Sequence, residues 1–174
     1  MPLVAPMTVT AEARPPCAVC GARSLALLLP VEAPTKGSTV AVAPGVVRAA
    51  DPRLAPFESG LALIVRRYWF GEPSTRPFTF AARFSLRRPE RHYFTTGDLR
   101  PDAPHRCTKA KDTEKMTRAM LDAVQGIVYV NDGQVDEQHT RKQWSPTREG
   151  WVWLRFDEMH TCAFPDTRRC SFLL

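Results

Sequence analysis

The chain has 174 residues, a formal net charge of +6 and a sequence pI near 9.4. Its 44% hydrophobic and 24% charged residues are typical of a globular protein, and its length suffices for one domain with a core and some tail. No apolar run approaches the about 18–20 residues of a membrane-spanning helix. The start of the chain also lacks the pattern of a signal peptide, so we expect a cytoplasmic protein that has no membrane partner and keeps its thiols reduced.

Residues 1–24 are predicted to form an N-terminal arm with half of a zinc knuckle, Cys17-Ala18-Val19-Cys20. A structural zinc site needs four ligands, and the sequence has no second C-x-x-C pair. His160, Cys162 and Cys170 would complete it only if the two ends of the chain meet. Reduced thiols in a mobile arm are therefore the default expectation, and an interaction protein with a terminal zinc module is one alternative class of function.

The first half of the domain alternates between predicted strands and a helix. Leu54–Tyr68 has the apolar stripe of an amphipathic helix, and Phe78–Leu86 alternates as a half-buried strand does. Leu25–Val31 is predicted to be a strand, Ser38–Arg48 a hairpin broken at Pro44-Gly45, and Arg87–Lys111 a long loop without periodicity.

The second half begins with a predicted helix from Asp112, a good N-cap residue, to Val124, ahead of Gly126. Predicted strands follow at Ile127–Val130, Val135–Trp144 and Trp151–Asp157. We therefore expect one small α/β (α+β) domain over residues 25–157, with a mixed sheet and two main helices, and a C-terminal tail over residues 158–174.

Three carboxylates lie at or near the two ends of this second helix. Asp112 and Glu114 lie at its start, and Asp132 lies in the turn Asn131-Asp132-Gly133-Gln134. Such carboxylates can meet around one hard cation, and Mg²⁺ favours oxygen ligands together with water and phosphate oxygens. The region from Arg83 to Arg118 also holds ten Lys or Arg against five acids. Basic runs are more often only solvated surface, but their position beside the acidic residues increases the weight of an anionic partner such as nucleic acid.

Five short motifs appear in an order that resembles the RusA-like family of Holliday junction resolvases, many of them from phages and prophages. The central motif runs Asp112-Thr113-Glu114, Arg118, Leu121-Asp122-Ala123-Val124-Gln125-Gly126, and the turn motif is Asn131-Asp132-Gly133-Gln134-Val135. Upstream, Pro34–Ser38 is similar to the family's P-x-K-G-S loop, Asp51–Phe57 to the start of its first helix, and Arg88–Tyr93 to its R-P-x-x-H-Y element.

The resemblance implies a homodimeric, Mg²⁺-dependent endodeoxyribonuclease, with Mn²⁺ as an alternative metal, that cuts four-way DNA junctions by paired symmetric nicks. It assigns the metal to Asp112, Glu114 and Asp132, and a charge-stabilising role to Arg118. Three positions depart from the family pattern: Glu114 replaces an aspartate, Arg118 a lysine, and Asn131 the first acid of the turn. A protein of the same fold that binds branched DNA but has weakened catalysis is therefore the second alternative.

DNA contacts are expected from the basic residues on both sides of the acidic positions, namely Lys36, Arg88, Arg91, Lys109, Lys111 and Lys115. His92 and Tyr93 could stack on an exposed base or simply pack within the loop. A purely structural interpretation of the helix also stays open. Glu114, Arg118 and Asp122 are spaced i, i+4, i+8 and could form a surface ion-pair ladder worth about 0.3–0.5 kcal/mol per pair.

Overall fold

The computed structural model describes residues 9–37, 39–44, 46–49, 51–108 and 110–160. Two α-helices, α1 (Leu54–Tyr68) and α2 (Thr113–Val124), accompany seven strands. The strands are β1 (Thr10–Arg14), β2 (Ser24–Leu29), β3 (Thr39–Ala43), β4 (Val46–Ala49), β5 (Phe78–Leu86), β6 (Val135–Trp144) and β7 (Trp151–Glu158).

Five of the strands form one mixed sheet in the order β1-β2-β7-β5-β6. The β5–β6 pair is parallel, and the other three pairs are antiparallel. Strands β3 and β4 form a separate hairpin. The fold is therefore α+β, as the sequence predicts.

The core lies between the sheet and the two helices. Every second residue of β7, including Val152, Leu154 and Phe156, is buried, as the two-residue period of a strand requires. The predicted apolar stripe of α2 is buried along its whole length, at Met116, Ala119, Met120, Ala123 and Val124. The two helices pack against each other, and the first residues of α2 lie at the surface.

Two features of the fold differ from the sequence-based expectation. Residues 127–130 form a turn rather than a strand, since the Ile127 and Val128 amides donate to Val124 O and only Tyr129 makes isolated bridges. The three buried side chains in a row, Ile127, Val128 and Tyr129, cover the end of α2. The second difference is β1, which pairs with β2, so part of residues 1–24 belongs to the sheet.

The start of α1 is held by an ion pair with a strong pH dependence. Arg53 donates to Asp51 through Nε (2.9 Å) and Nη2 (2.8 Å), and these bonds lower the pKa of Asp51 to about 2. A carboxyl group whose pKa is lowered by folding contributes stability above its unfolded pKa and loses that contribution as the pH falls through its folded pKa.

Replacing Asp51 by asparagine is therefore expected to lower the free energy of unfolding by about 1–2 kcal/mol at neutral pH, allowing for the solvent exposure of Arg53. The difference from wild type should shrink as the pH falls from about 4 towards 2, which urea unfolding followed over that range would measure. The exposed Asp98 provides the control, because Asp98→Asn should leave stability nearly unchanged. An Asp51→Asn effect that is constant with pH would contradict the assignment.

Within the described part of the chain, neither helix is long and apolar enough to span a bilayer.

Candidate functional site

The start of α2 presents two exposed carboxylates. Asp112 is the N-cap, and its Oδ1 accepts a hydrogen bond from the Glu114 amide (3.0 Å), which satisfies one of the amides left open at a helix start. Glu114 lies in the first turn, where the helix dipole favours negative charge. The sequence predicted both positions, and the second carboxylate oxygen of Asp112 is not needed for the cap.

Arg118 lies one turn further along α2. Its Nη2 is 3.4 Å from Glu114 Oε1, and a side-chain Cβ placed at Gly37 would stand 3.8 Å from its Nη1. The first step of the predicted ion-pair ladder is therefore present. The second step is not, because Asp122 pairs with Lys36 (2.8 Å).

Lys36 connects three segments that are distant in the sequence. Its Nζ lies 2.8 Å from both Glu58 of α1 and Asp122 of α2, and its amide donates to Lys115 O (3.1 Å). Burial lowers the pKa of Lys36, but the hydrogen bonds and charges of the two carboxylates together raise it above its usual value. Lys36 therefore stays charged and fixes the 34–37 loop against α2 and beside Arg118.

Asp132 lies in a 3-10 turn that Asn131 caps. Asn131 Oδ1 accepts from the Gly133 amide (2.8 Å), and Gln134 Oε1 accepts from the Asn131 amide (2.8 Å). Asparagine thus performs the capping that an aspartate would perform at this position. Asp132 itself is exposed.

Tyr129 links this turn to α2. Its hydroxyl donates to Leu121 O (2.7 Å). Burial raises the pKa of the phenol, and the negative charges of Asp122 and Asp132 raise it further. Asp122 and Asp132 therefore both lie near the Tyr129 hydroxyl, whereas Asp112 lies about three helical turns from Asp122.

The three predicted metal ligands, Asp112, Glu114 and Asp132, do not form a closed cluster. Within the described ranges, the only three His, Cys, Asp or Glu ligand atoms that lie within 4.8 Å of one another belong to Cys17, Cys20 and His160. The predicted carboxylates nevertheless fit Mg²⁺ in kind. They are exposed oxygen donors, and Mg²⁺ is usually held by one or two carboxylates together with water and substrate phosphate.

A basic cavity of about 440 Å³ opens in the loop before α2. Arg91, Arg100 and Arg106 line it, together with His92 and Trp144, whose rings meet edge to face at 5.4 Å. Ala110, two residues before Asp112, also lines it, so the cavity and the acidic helix start adjoin.

Two polar atoms of the cavity walls are left without a hydrogen bond in the described structure. They are His92 Nδ1 and Trp144 Nε1, and His92 is only 7% exposed. Leaving a buried polar atom without a partner costs about 1–3 kcal/mol, so both nitrogens lower the stability of this part of the fold. Charged guanidinium groups beside aromatic rings favour an anionic aromatic ligand such as a nucleotide.

The other predicted DNA-contact residues differ in their surroundings. Lys111 is half-buried, with its ammonium held by Glu32 (2.9 Å) and by Ala33 O (2.6 Å). Arg88 donates to Pro104 O (3.0 Å) and lies over the Trp144 ring at 5.5 Å. Lys115 is half-buried, whereas Lys109 lies outside the described residues. Arg91 is thus the exposed member of the predicted set that lines the cavity.

Searches of protein-family models and of curated proteins found no match to this chain. The family resemblance therefore depends on the sequence motifs alone.

Proposed function

We propose that the protein is a metal-dependent endonuclease that resolves four-way DNA junctions in recombination or phage DNA processing, as a RusA-like resolvase does. The observation that carries this proposal is that separated motifs meet around α2. Lys36 of the P-x-K-G-S-like loop bonds Asp122 of the L-D-A motif, Gly37 lies beside Arg118, and the arginine-rich cavity adjoins Asp112. Sequence order alone does not produce such contacts, since these segments are far apart in the chain.

In this proposal Asp112, Glu114 and Asp132 would hold Mg²⁺, or Mn²⁺ in its place. The metal would supply a Lewis acid that polarises the scissile phosphate and lowers the pKa of a bound water. Asp112 would serve both as helix cap and as ligand, because its two oxygens can take separate roles. Arg118, held between Glu114 and Gly37, would stabilise the charge that grows on the phosphate in the transition state.

The arginine-lined cavity would bind the DNA beside the cleavage position. Arg91, Arg100 and Arg106 would contact phosphates, and the Trp144 ring in the cavity wall would stack on a base displaced at the branch point. A homodimer would present two such sites, matching the two strands that a resolvase nicks.

The direct test is cleavage of a synthetic four-way junction compared with linear duplex of the same sequence, in Mg²⁺ and in EDTA. Paired symmetric nicks on the junction alone, abolished by EDTA, are the expected result. A protein that neither binds nor nicks the junction would refute the proposal.

The Arg91→Ala variant is expected to weaken junction binding and to reduce the slope of log affinity against log salt by about 0.9, because one phosphate contact is lost. Fluorescence anisotropy over a salt series would measure both changes. Arg66→Ala is the matched control, since Arg66 is an exposed arginine of α1 that does not line the cavity. Equal effects of the two substitutions would remove the cavity from the DNA interface.

A junction-binding protein with weakened catalysis is the alternative, favoured by Asn131 and by the ion pair that engages Glu114. Tight junction binding with no nicking in Mg²⁺ or Mn²⁺ would support it. If the double variant Glu114→Asp, Asn131→Asp then gained cleavage, the two departures from the family pattern would be the cause of the weakened catalysis.

A further inference from the structure

The two ends of the described chain meet at a cluster of three soft ligands. The ligand atoms of Cys17, Cys20 and His160 all lie within 4.8 Å of one another, and Cys20 Sγ is 3.3 Å from His160 Nδ1. In tetrahedral zinc sites, Zn–S bonds of about 2.3 Å and Zn–N bonds of about 2.0–2.1 Å place neighbouring ligand atoms about 3.5 Å apart. The cluster thus has nearly the dimensions of a zinc site.

The cysteine turn is built to present both thiols together. Gly21 N donates to Cys17 O (2.7 Å), and Cys17 N donates to Ala22 O (2.8 Å), which closes the turn. Gly21 has a φ of +70°, a conformation that side-chain-bearing residues rarely adopt. The turn therefore places Cys17 and Cys20 on the same side, where their thiols and the His160 ring come together.

A second set of contacts brings His160 to this turn. Arg23, three residues after Cys20, pairs with Glu158, two residues before His160, at 2.6 Å. Backbone bonds add to this, because the Glu158 amide donates to Arg23 O (2.9 Å) and the Met159 amide to Pro77 O (2.8 Å). The cluster therefore stands on the paired start of β2 and end of β7, not on two mobile tails.

We propose that Cys17, Cys20 and His160 bind a structural Zn²⁺ ion that fastens the end of β7 to the turn before β2. Two thiolates and an imidazole are the donors that zinc prefers, and binding releases the thiol protons. A structural site is closed by a fourth ligand, for which the sequence offers Cys162 and Cys170, both outside the described residues. The ion would close a loop of about 140 residues, which constrains the unfolded chain.

Metal analysis of the full-length chain, purified without chelators, tests this proposal independently of any nuclease activity. We expect one zinc per chain by plasma mass spectrometry, and a thiolate-to-metal charge-transfer band with tetrahedral d–d bands after replacement by Co²⁺. EDTA should lower the Tm, and added Zn²⁺ should restore it, whereas Mg²⁺ should not. Metal-free protein whose Tm responds neither to EDTA nor to Zn²⁺ would overturn the proposal.

Variants identify the ligands. Cys20→Ser and His160→Ala should lose zinc, while the matched controls Cys107→Ala and His139→Ala should retain it, because neither residue belongs to the cluster. Cys162→Ser and Cys170→Ser are then compared for the release of zinc to a chromogenic chelator. The variant that releases zinc more readily has lost the fourth ligand. Zinc retained by both Cys20→Ser and His160→Ala would place the ion elsewhere and overturn the assignment. If a variant fails to fold, the Co²⁺ spectrum and the chelator response of the wild type still decide.

Discussion

Asp112→Asn and Asp132→Asn are each expected to reduce junction cleavage by about 100-fold or more while leaving junction binding close to wild type. Asparagine keeps the carbonyl oxygen that caps α2 at position 112, so the helix should not be destabilised. It removes the negative charge that a hard cation requires of its ligands. The change would therefore affect the metal-dependent step without disturbing the fold.

The measurement is single-turnover cleavage of a labelled junction over a range of Mg²⁺ concentrations, with Tm values for each variant. Asp136→Asn is the matched control, because Asp136 is an exposed aspartate only four residues from Asp132. Loss of activity only at low Mg²⁺ would indicate weakened metal binding, and loss at all concentrations would indicate a role in the reaction itself. Full activity in both variants would refute the carboxylate site.

Much of the fold follows from local periodicity. The bounds of α1 and β5 agree with the sequence prediction, because an apolar stripe and an alternating burial pattern determine them. The bounds of β6 also agree, although its burial pattern does not alternate regularly. The sequence predicts a strand at residues 127–130 because a short apolar run is typical of a buried strand, but the same run is equally compatible with a turn buried over a helix end. Strand β1 was missed because an edge strand has one partner and is mostly exposed, so its burial pattern is weak.

The candidate site is likewise predictable from the sequence only in part. Asp112 as N-cap of α2 follows from the sequence, since capping depends on neighbours within a few residues. The bond from Lys36 to Asp122 and Glu58 does not, because it joins segments brought together only by packing of the loop and two helices. No sequence signal distinguishes Glu58 from an ordinary surface acid of a helix. The meeting of Cys20 with His160 likewise depends on β2 lying beside β7.

The pairing of β2 with β7 ends in an ion pair whose disruption should give the largest change in stability. Glu158 is 3% exposed and accepts from Arg23 Nη2 (2.6 Å), Nε (2.9 Å) and the Arg23 amide (2.7 Å). Burial raises the pKa of Glu158, but the hydrogen bonds from Arg23 and Ser74 outweigh it and hold the pKa below its usual value. The carboxylate therefore depends on its cation to remain charged in the core.

Arg23→Ala is expected to lower the free energy of unfolding by about 3 kcal/mol at neutral pH, because it leaves a buried carboxylate without its partner. The loss should shrink in acid. In the wild type, the Glu158 carboxyl loses its stabilising contribution as the pH falls through its lowered pKa. In the variant, burial without Arg23 raises the pKa of Glu158, so protonation in acid removes the cost of a buried, unpaired charge. Urea unfolding followed by tryptophan fluorescence at neutral pH and below pH 4.5 would measure both.

Arg87→Ala is the control for Arg23→Ala, since Arg87 pairs with Glu90 on the exposed surface and its loss should not change stability measurably. A similar effect of the two substitutions would show that the Arg23–Glu158 pair does not hold the sheet together. A larger effect of Arg23→Ala on zinc-loaded than on zinc-free protein would show that the pair and the metal act together. That coupling is expected, because Arg23 and Glu158 are each within three residues of a proposed zinc ligand, Cys20 and His160 respectively.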